Sequence, residues 1–222
     1  MSETIKRILT AGVMVLVGAG AVIAEYFGAP AVRWLCAVVA VVCSAELIWK
    51  IIKNKDKRIN GRQLMLFILY SLIFIVSAYM VGTRPWIILL LLMTISFADI
   101  GAWFFGKFFG GEKMWPSVSP GKTWSGQVAG IVCGTLGAVL YGYIGTALQA
   151  GHLAYAQFMP QLMWIGISVS LLSQYGDLAA SAIKRKLGIK DYSNILPGHG
   201  GALDRFDGWI FVLPITWLVM VL

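Results

Sequence analysis

The densest group of polar side chains lies in LPGHGGALDRFDG, residues 196 to 208, directly before an almost purely apolar segment. Clustered carboxylates can hold Mg²⁺ through their oxygens, and clustered cations neutralise phosphate oxygens that the metal does not reach. The carboxylates in and just before this stretch are Asp177, Asp191, Asp204 and Asp207, and the cations are Lys184, Arg185, Lys186 and Lys190. The pattern predicts metal-assisted phosphate chemistry. With a single histidine and no cysteine nearby, it argues against zinc.

The same stretch is rich in glycine, which lets a backbone approach a polyphosphate closely. The glycines concerned are Gly198, Gly200 and Gly201. Asp204 and Asp207 are three residues apart and share a face if a helix begins there. Local alternatives remain open for two neighbours. His199 could be a turn residue bonded to backbone, and Arg205 could pair with Asp204 or Asp207.

A polar stripe crosses an otherwise apolar segment upstream, with intervals of four, three, four and three. Its members are Ser170, Gln174, Asp177, Ser181 and Lys184. Such spacing places them on one face of a helix. An aspartate at the centre of a spanning helix costs roughly 2.5–3.5 kcal/mol, so it needs a partner, a cavity or a function. The stripe is either the wall of a water-filled cavity or a hydrogen-bond network between helices.

A second polar region begins at Asp99 and continues through a glycine-rich, lysine-bearing loop, GKFFGGEKMWPSVSPGKTWSG. We expect this loop to precede a helix, and backbone N–H groups at a helix start suit anions. The following segment carries small residues at a strict spacing of four, which favours close helix packing. They are Gly126, Gly130, Gly134, Ala138 and Gly142.

The elements that position these residues belong to a membrane protein. Of the 222 residues, 59% are hydrophobic and 13% are charged, and the mean hydropathy is +0.78. A spanning helix needs ~20 mostly apolar residues. The fold class predicted is therefore all-α and polytopic, with about seven transmembrane helices in a single integral membrane domain covering residues 1–222. The candidate spans are about 8–27, 31–49, 64–82, 85–105, 126–148, 161–180 and 208–222. Residues 1–83 hold the N-terminal spans, and residues 94–208 hold the catalytic region with two cytoplasmic loops.

The net charge of +8 would suggest nucleic acid in a soluble protein. With a cytoplasmic N-terminus, however, all of the 18 Lys and Arg except Arg33 and Arg84 fall on the inner side. This positive-inside bias supports seven spans and a multi-pass protein of the inner (cytoplasmic) membrane whose site faces the cytoplasm. No nucleic-acid partner is expected. Glu25 and Glu46 lie near span ends, where they are expected to reach headgroups. The cysteines lie within spans and predict no disulfide.

At this point the sequence resembles the phosphatidate cytidylyltransferase (CDP-diacylglycerol synthase) family. The family signature is matched in register by Ser181, Ile183, Lys184, Arg185, Lys190, Asp191, Ser193, Leu196, Pro197, His199, Gly200, Gly201, Asp204, Arg205, Phe206 and Asp207. The upstream stretch is also similar, through Asp99, Gly101, Gly106, Ser119, Pro120, Lys122, Thr123, Trp124 and Gly126. The resemblance covers about residues 94–208. Ser125 and Ala202 depart from it, since the family usually has a glutamate and a larger aliphatic residue there.

The resemblance implies that CTP and phosphatidate are the substrates and that CDP-diacylglycerol and pyrophosphate are the products. It implies Mg²⁺ as cofactor, with K⁺ as a second ion, and homodimerisation. Expected metal ligands are Asp177, Asp204 and Asp207. Expected catalytic residues are Asp177, Asp204, Lys184, Arg185 and His199. Expected substrate-binding residues are Ser181, Lys190, Gly200, Gly201, Arg205, Lys122, Ser119, Thr123 and Asp99.

Two other functions remain as alternatives. A CTP-dependent lipid-alcohol kinase would transfer the γ-phosphoryl group instead of the cytidylyl group. A transporter of an anionic lipid or phosphate compound would use a cationic cavity, but it has no need for aspartates beside the cations, and inverted repeats are not evident.

Overall fold

The computed structural model describes residues 3–53, 60–149 and 152–222, and it is mostly helical over these ranges. The elements in chain order are α1 (Glu3–Tyr26), α2 (Ala31–Lys53), α3 (Gly61–Gly82), α4 (Pro85–Phe109), β1 (Lys113–Trp115), β2 (Ser119–Thr123), α5 (Trp124–Gln149), α6 (His152–Lys186), α7 (Leu203–Phe206) and α8 (Trp209–Val221).

Helices α1 to α5 are each long and apolar enough to cross a membrane. The chain is therefore a polytopic membrane protein, and the first five predicted spans coincide with these helices. The sixth predicted span, 161–180, lies within the longer α6. The seventh, 208–222, corresponds to α8, an apolar helix of only 13 residues.

The all-α prediction was incomplete, because β1 and β2 form an antiparallel hairpin where the sequence predicted an irregular loop. Lys113 pairs with Thr123, and Trp115 pairs with Ser119. Pro116 follows β1 directly, which places it in the turn, where a missing N–H costs no ladder bond. The strands have three and five residues, too few for an alternating hydrophobic pattern to be recognised.

The chain forms two compact units, and the first consists of residues 1–85 and 182–222. Here α2 packs against α3, and α3 packs against α8. The Tyr70 hydroxyl of α3 donates to the Ile210 carbonyl of α8 over 2.6 Å. Glu25, which was expected to reach headgroups, is half-buried. Its carboxylate accepts the Val32 N–H at 3.0 Å, so it stabilises the start of α2.

The second unit consists of residues 86–181 and contains α4, the hairpin, α5 and most of α6. The small residues of α5 pack closely, as predicted. A Cβ at Gly126 would lie 2.7 Å from the Ala102 carbonyl oxygen, one at Gly134 would overlap the Ser170 hydroxyl, and Ala138 is fully buried. The cysteines in both units are free thiols, as predicted.

Candidate active site

Asp204 is the centre of the polar cluster in the first unit. Its Oδ1 accepts a hydrogen bond from Lys184 Nζ at 2.9 Å, and its Oδ2 accepts the N–H groups of Tyr192 and Gly201 at 2.9 and 3.0 Å. Its side chain is only 4% exposed, and that of Lys184 is 12% exposed. A buried carboxylate needs such partners. The sequence-predicted Lys184, Gly201 and Asp204 are therefore brought together.

The ring of Tyr192 contacts Lys184, and the sequence analysis did not identify this residue. Lys184 Nζ lies 5.6 Å from the centre of the Tyr192 ring, within cation–π range. Tyr192 is almost fully buried. Burial raises the pKa of its phenol, and the nearby carboxylates Asp204 and Asp207 raise it further. The ring therefore stays neutral and adds no charge that would compete for Lys184.

The glycine-rich loop turns back on itself between Leu196 and Gly200. The Leu196 N–H donates to the Gly200 carbonyl and the His199 N–H donates to the Leu196 carbonyl, both at 2.9 Å. Gly198 and Gly200 have φ values of 78° and 83°, which residues with a Cβ rarely adopt. These glycines are thus required by the turn itself, besides any role in approaching phosphate.

Two further signature residues stabilise the same turn. Arg205 Nε donates to the His199 carbonyl at 2.8 Å. The backbone of His199 is bonded, but its Nδ1 is buried with no hydrogen-bond partner among the residues that the structure describes.

Arg185 and Lys190 are exposed, and Asp207 accepts the Gly208 N–H at 2.9 Å.

Glu46 of α2 is the main residue that the sequence analysis misplaced. It does not reach headgroups, because it is only 6% exposed. Its Oε1 accepts the Ser193 hydroxyl and, at 3.1 Å, the Ala202 N–H, while Oε2 accepts the Leu203 N–H at 2.8 Å. An acidic residue within an apolar helix was the available signal, but the sequence does not identify its partner.

Helix α1 also contacts the glycine-rich loop. Arg7 Nε donates to the Gly198 carbonyl at 3.1 Å, and the Thr10 hydroxyl donates to the Pro197 carbonyl at 2.9 Å. The sequence assigned Arg7 only to the positive-inside bias. The loop is thus held by side chains from both ends of the chain.

The second unit contains its own lysine–carboxylate pair. Lys122 Nζ of β2 lies 2.8 Å from Asp177 Oδ2 and 3.1 Å from the Gln174 carbonyl, while Asp177 Oδ1 accepts the Ser181 hydroxyl at 3.3 Å. The side chains of Lys122 and Asp177 are 24% and 38% exposed, so this pair is more open than that of Lys184 and Asp204. Asp99 of α4 interacts electrostatically with both Asp177 and Lys122.

The three predicted binding residues of the hairpin, Lys122, Thr123 and Ser119, differ in their contacts and their burial. Lys122 reaches Asp177, but Thr123 is 3% exposed and its hydroxyl accepts the Gly126 N–H at 3.1 Å, which caps α5. The Ser125 hydroxyl bonds to Thr123 and to the Gly110 carbonyl. Ser119 is half-buried in β2. Thr123 and Ser125 therefore hold the hairpin to the helix start.

The polar stripe of α6 divides into two parts. Ser170 is fully buried, and Gln174 is 7% exposed and donates to the Gln127 carbonyl at 3.4 Å. Gln174 therefore fits the hydrogen-bond network between helices that the sequence left open. The Ser170 hydroxyl has no hydrogen-bond partner among the described residues and packs against Gly134 of α5. Asp177 and Ser181 are more accessible than Ser170 and Gln174.

The predicted metal ligands lie in different units, with Asp177 in the second and Asp204 and Asp207 in the first. Over the described ranges, no three His, Cys, Asp or Glu side chains form a group that could hold a metal. The donors themselves suit Mg²⁺, since all three are carboxylates. A carboxylate has about four lone-pair positions. The hydrogen bonds above use three on Asp204 and two on Asp177, so both have capacity for a cation.

Comparison with known proteins identifies the family of the chain. The sequence profile of the Cytidylyltransferase family matches residues 3–222. Proteins named phosphatidate cytidylyltransferase are similar over part of the chain. The protein from Bacillus subtilis is 40% identical over 124 residues, 56% of this chain and 43% of its own length. That from Staphylococcus aureus is 37% identical over 137 residues, 60% of this chain and 48% of its own.

The chain thus spans about half the length of the curated relatives it matches. The profile match extends over all the helices and both strands described above. On that match, the chain belongs to the cytidylyltransferase family.

Proposed function

We propose that this protein transfers CMP from CTP to phosphatidate, giving CDP-diacylglycerol and pyrophosphate. The observation that carries the proposal is the pairing of a lysine with a carboxylate in each unit, Lys122 with Asp177 and Lys184 with Asp204. The positive charge of a lysine suits a polyphosphate, and the negative charge of a carboxylate suits the metal ion bound to it. Family membership and the names of the similar proteins support the same reaction.

In this reaction a phosphate oxygen of phosphatidate attacks the α-phosphorus of CTP. A new oxygen–phosphorus bond forms, and the bond from the α-phosphorus to the bridging oxygen breaks, releasing pyrophosphate. The nucleophile is already an anion, so no strong general base is needed. Catalysis then rests on positioning and on stabilising the charge that develops on the phosphoryl oxygens.

The residue roles follow from charge and placement. Lys184, Arg185 and His199 are proposed to stabilise the reacting phosphates. Contacts to the substrates are proposed for Lys122, Ser119, Thr123, Asp99, Ser181, Lys190, Gly200, Gly201 and Arg205. Because the Thr123 side chain caps α5 and Gly200 forms a tight turn, these two residues would contact the substrates through their backbone atoms. Lys190 is exposed and can reach a soluble nucleotide.

Asp177, Asp204 and Asp207 are the proposed ligands of Mg²⁺, with K⁺ as a second ion. When bound, Mg²⁺ would neutralise phosphate charge and help pyrophosphate to leave. The lysines orient the two carboxylates before substrate arrives. The presence of a lysine beside each carboxylate would also limit metal binding in the absence of nucleotide.

The membrane arrangement is proposed from the charge bias. Seven spans with a cytoplasmic N-terminus, in a single domain of the inner membrane, place the signature loop on the cytoplasmic side with CTP. The family resemblance adds homodimerisation to this proposal.

The test is an assay of purified protein with Mg²⁺, phosphatidate, diacylglycerol as a lipid alcohol, and CTP labelled at either the α- or the γ-phosphate. Cytidylyl transfer puts the α-label into lipid and releases the γ-label as pyrophosphate. Recovery of γ-label in lipid would identify a kinase. Movement of phosphatidate across proteoliposomes without any labelled lipid would identify a transporter.

A further inference from the structure

Glu46 is a buried carboxylate of α2 that lies outside the part of the chain resembling the family signature. It is separated from the Ser193 hydroxyl that it binds by 147 residues in sequence. Its two oxygens accept three hydrogen bonds, and all three donors belong to the segment that leads into and out of the glycine-rich loop. We propose that Glu46 is a positioning residue that sets the geometry of residues 193–203 for the transfer reaction, an inference that rests on the proposed function.

The three bonds define the loop at both of its ends. Ser193 precedes the turn, while Ala202 and Leu203 follow it and begin α7. The Glu46 carboxylate therefore joins the two ends of the loop by hydrogen bonds. Those residues include His199, and Asp204 follows directly after Leu203. A shift of Glu46 would move both of these signature side chains.

The fit of Glu46 also accounts for a glycine in the signature. A Cβ at Gly201 would lie 2.7 Å from Glu46 Oε2, which is closer than real Cβ contacts, and 3.0 Å from Oε1. Gly201 in turn donates its N–H to Asp204 at 3.0 Å. One residue thus contacts Glu46 on one side and the catalytic carboxylate on the other, which connects the two.

The hydrogen bonds that the Glu46 carboxylate accepts are strong, so their loss is costly. Hydrogen bonds to an ionised acceptor are roughly twice as strong as neutral ones. Glu46 accepts the backbone N–H groups of Ala202 and Leu203, which lie at the start of α7 and would otherwise be buried without a partner. An amide in its place would direct an NH₂ group at one of the backbone N–H donors. Glu46→Gln should therefore release one end of the loop without removing side-chain volume.

The experiment compares Glu46→Gln with Glu25→Gln in the full chain. Glu25 is a matched control, because it is also a carboxylate of the first unit that accepts a backbone N–H at a helix start, here that of Val32. We expect Glu46→Gln to lower kcat by about 10- to 100-fold, as small misplacements do. The KM for CTP should change little. Glu25→Gln should keep kcat per folded molecule.

A second measurement does not depend on activity. Amide hydrogen exchange of the peptide covering residues 193–203 should be faster in Glu46→Gln and unchanged in Glu25→Gln. Glu46→Asp retains the charge on a shorter side chain, so both the exchange rate and kcat should fall between wild type and Glu46→Gln.

The outcomes separate this inference from the proposed function. If wild type makes no CDP-diacylglycerol but Glu46→Gln still accelerates exchange, the function is wrong and the loop contact is right. Normal kcat and normal exchange in a folded Glu46→Gln protein would overturn the inference. So would an equal loss of kcat per folded molecule in Glu25→Gln, because the effect would then not be specific to the contact between Glu46 and the loop.

Discussion

Lys184 Nζ lies 2.9 Å from Asp204 Oδ1, and the two side chains are only 12% and 4% exposed. In the second unit the corresponding distance between Lys122 and Asp177 is 2.8 Å, but the carboxylate is 38% exposed. The two pairs should therefore respond differently to loss of a charge, since a buried partner left alone is costly and an exposed one is not.

Asp204→Asn should reduce both turnover and stability. Removing the charge leaves Lys184 buried without a counter-ion, which typically costs about 3–5 kcal/mol. Lys184→Met combined with Asp204→Asn removes both charges and should recover part of the thermal stability without recovering turnover. Thermal unfolding in detergent and the α-label assay measure the two effects. Full turnover in the double variant would remove this pair from the proposed site.

Asp177→Asn should nearly abolish turnover with little change in the unfolding temperature, because Lys122 remains partly solvated. Combining it with Asp204→Asn should lower turnover little further, since residues that act as one unit are not additive. Mg²⁺ dependence of the residual rate provides the readout. A near-normal rate in Asp177→Asn would rule out this residue as a metal ligand.

Ser125 replaces the acidic residue that the family usually has, and it joins the hairpin to α5. Ser125→Ala should lose about 1 kcal/mol of stability with its hydrogen bonds. Ser125→Glu should keep or raise turnover, because a carboxylate in the first turn of α5 interacts favourably with the helix dipole. Initial rates at matched amounts of folded protein provide the comparison. Complete inactivity of Ser125→Glu would indicate that this hairpin is arranged differently from that of the family.

Gly134→Ala should destabilise the second unit by about 1–3 kcal/mol, as overpacking does. The new Cβ would overlap the Ser170 hydroxyl and lie 3.0 Å from the Thr94 carbonyl oxygen. Gly145→Ala is the control on the same helix, since a Cβ there would meet no atom of the described residues within 4 Å. That change should be neutral or stabilising, because alanine favours helix. Equal unfolding temperatures for both variants would contradict the packing described here.

A reporter fused after Leu222 should be active only outside the cytoplasm. This follows from seven spans and a cytoplasmic N-terminus, as the distribution of Lys and Arg predicts. Paired reporters, one requiring the cytoplasm and one requiring export, measure it. A fusion at Lys53 provides the reference for the inner side. Activity of the cytoplasmic reporter at Leu222 would indicate an even number of spans.

Sequence alone was sufficient for the properties that depend on local composition. Long apolar segments identified the five helices α1 to α5 as candidate spans, because hydropathy is summed over consecutive residues. The spacing of Gly126, Gly130 and Gly134 predicted their packing face, since a helix has a fixed period. The signature residues around Asp204 indicated the family directly from their order along the chain.

Tertiary structure decided which side chains meet, because contacts between distant segments leave no local pattern. Glu46 looked like a residue at a span end, yet it binds a segment more than a hundred residues away. The polar stripe had one period throughout, but Ser170 is packed against α5 while Asp177 meets Lys122. Neither outcome follows from hydropathy or spacing, since each depends on which helix lies opposite.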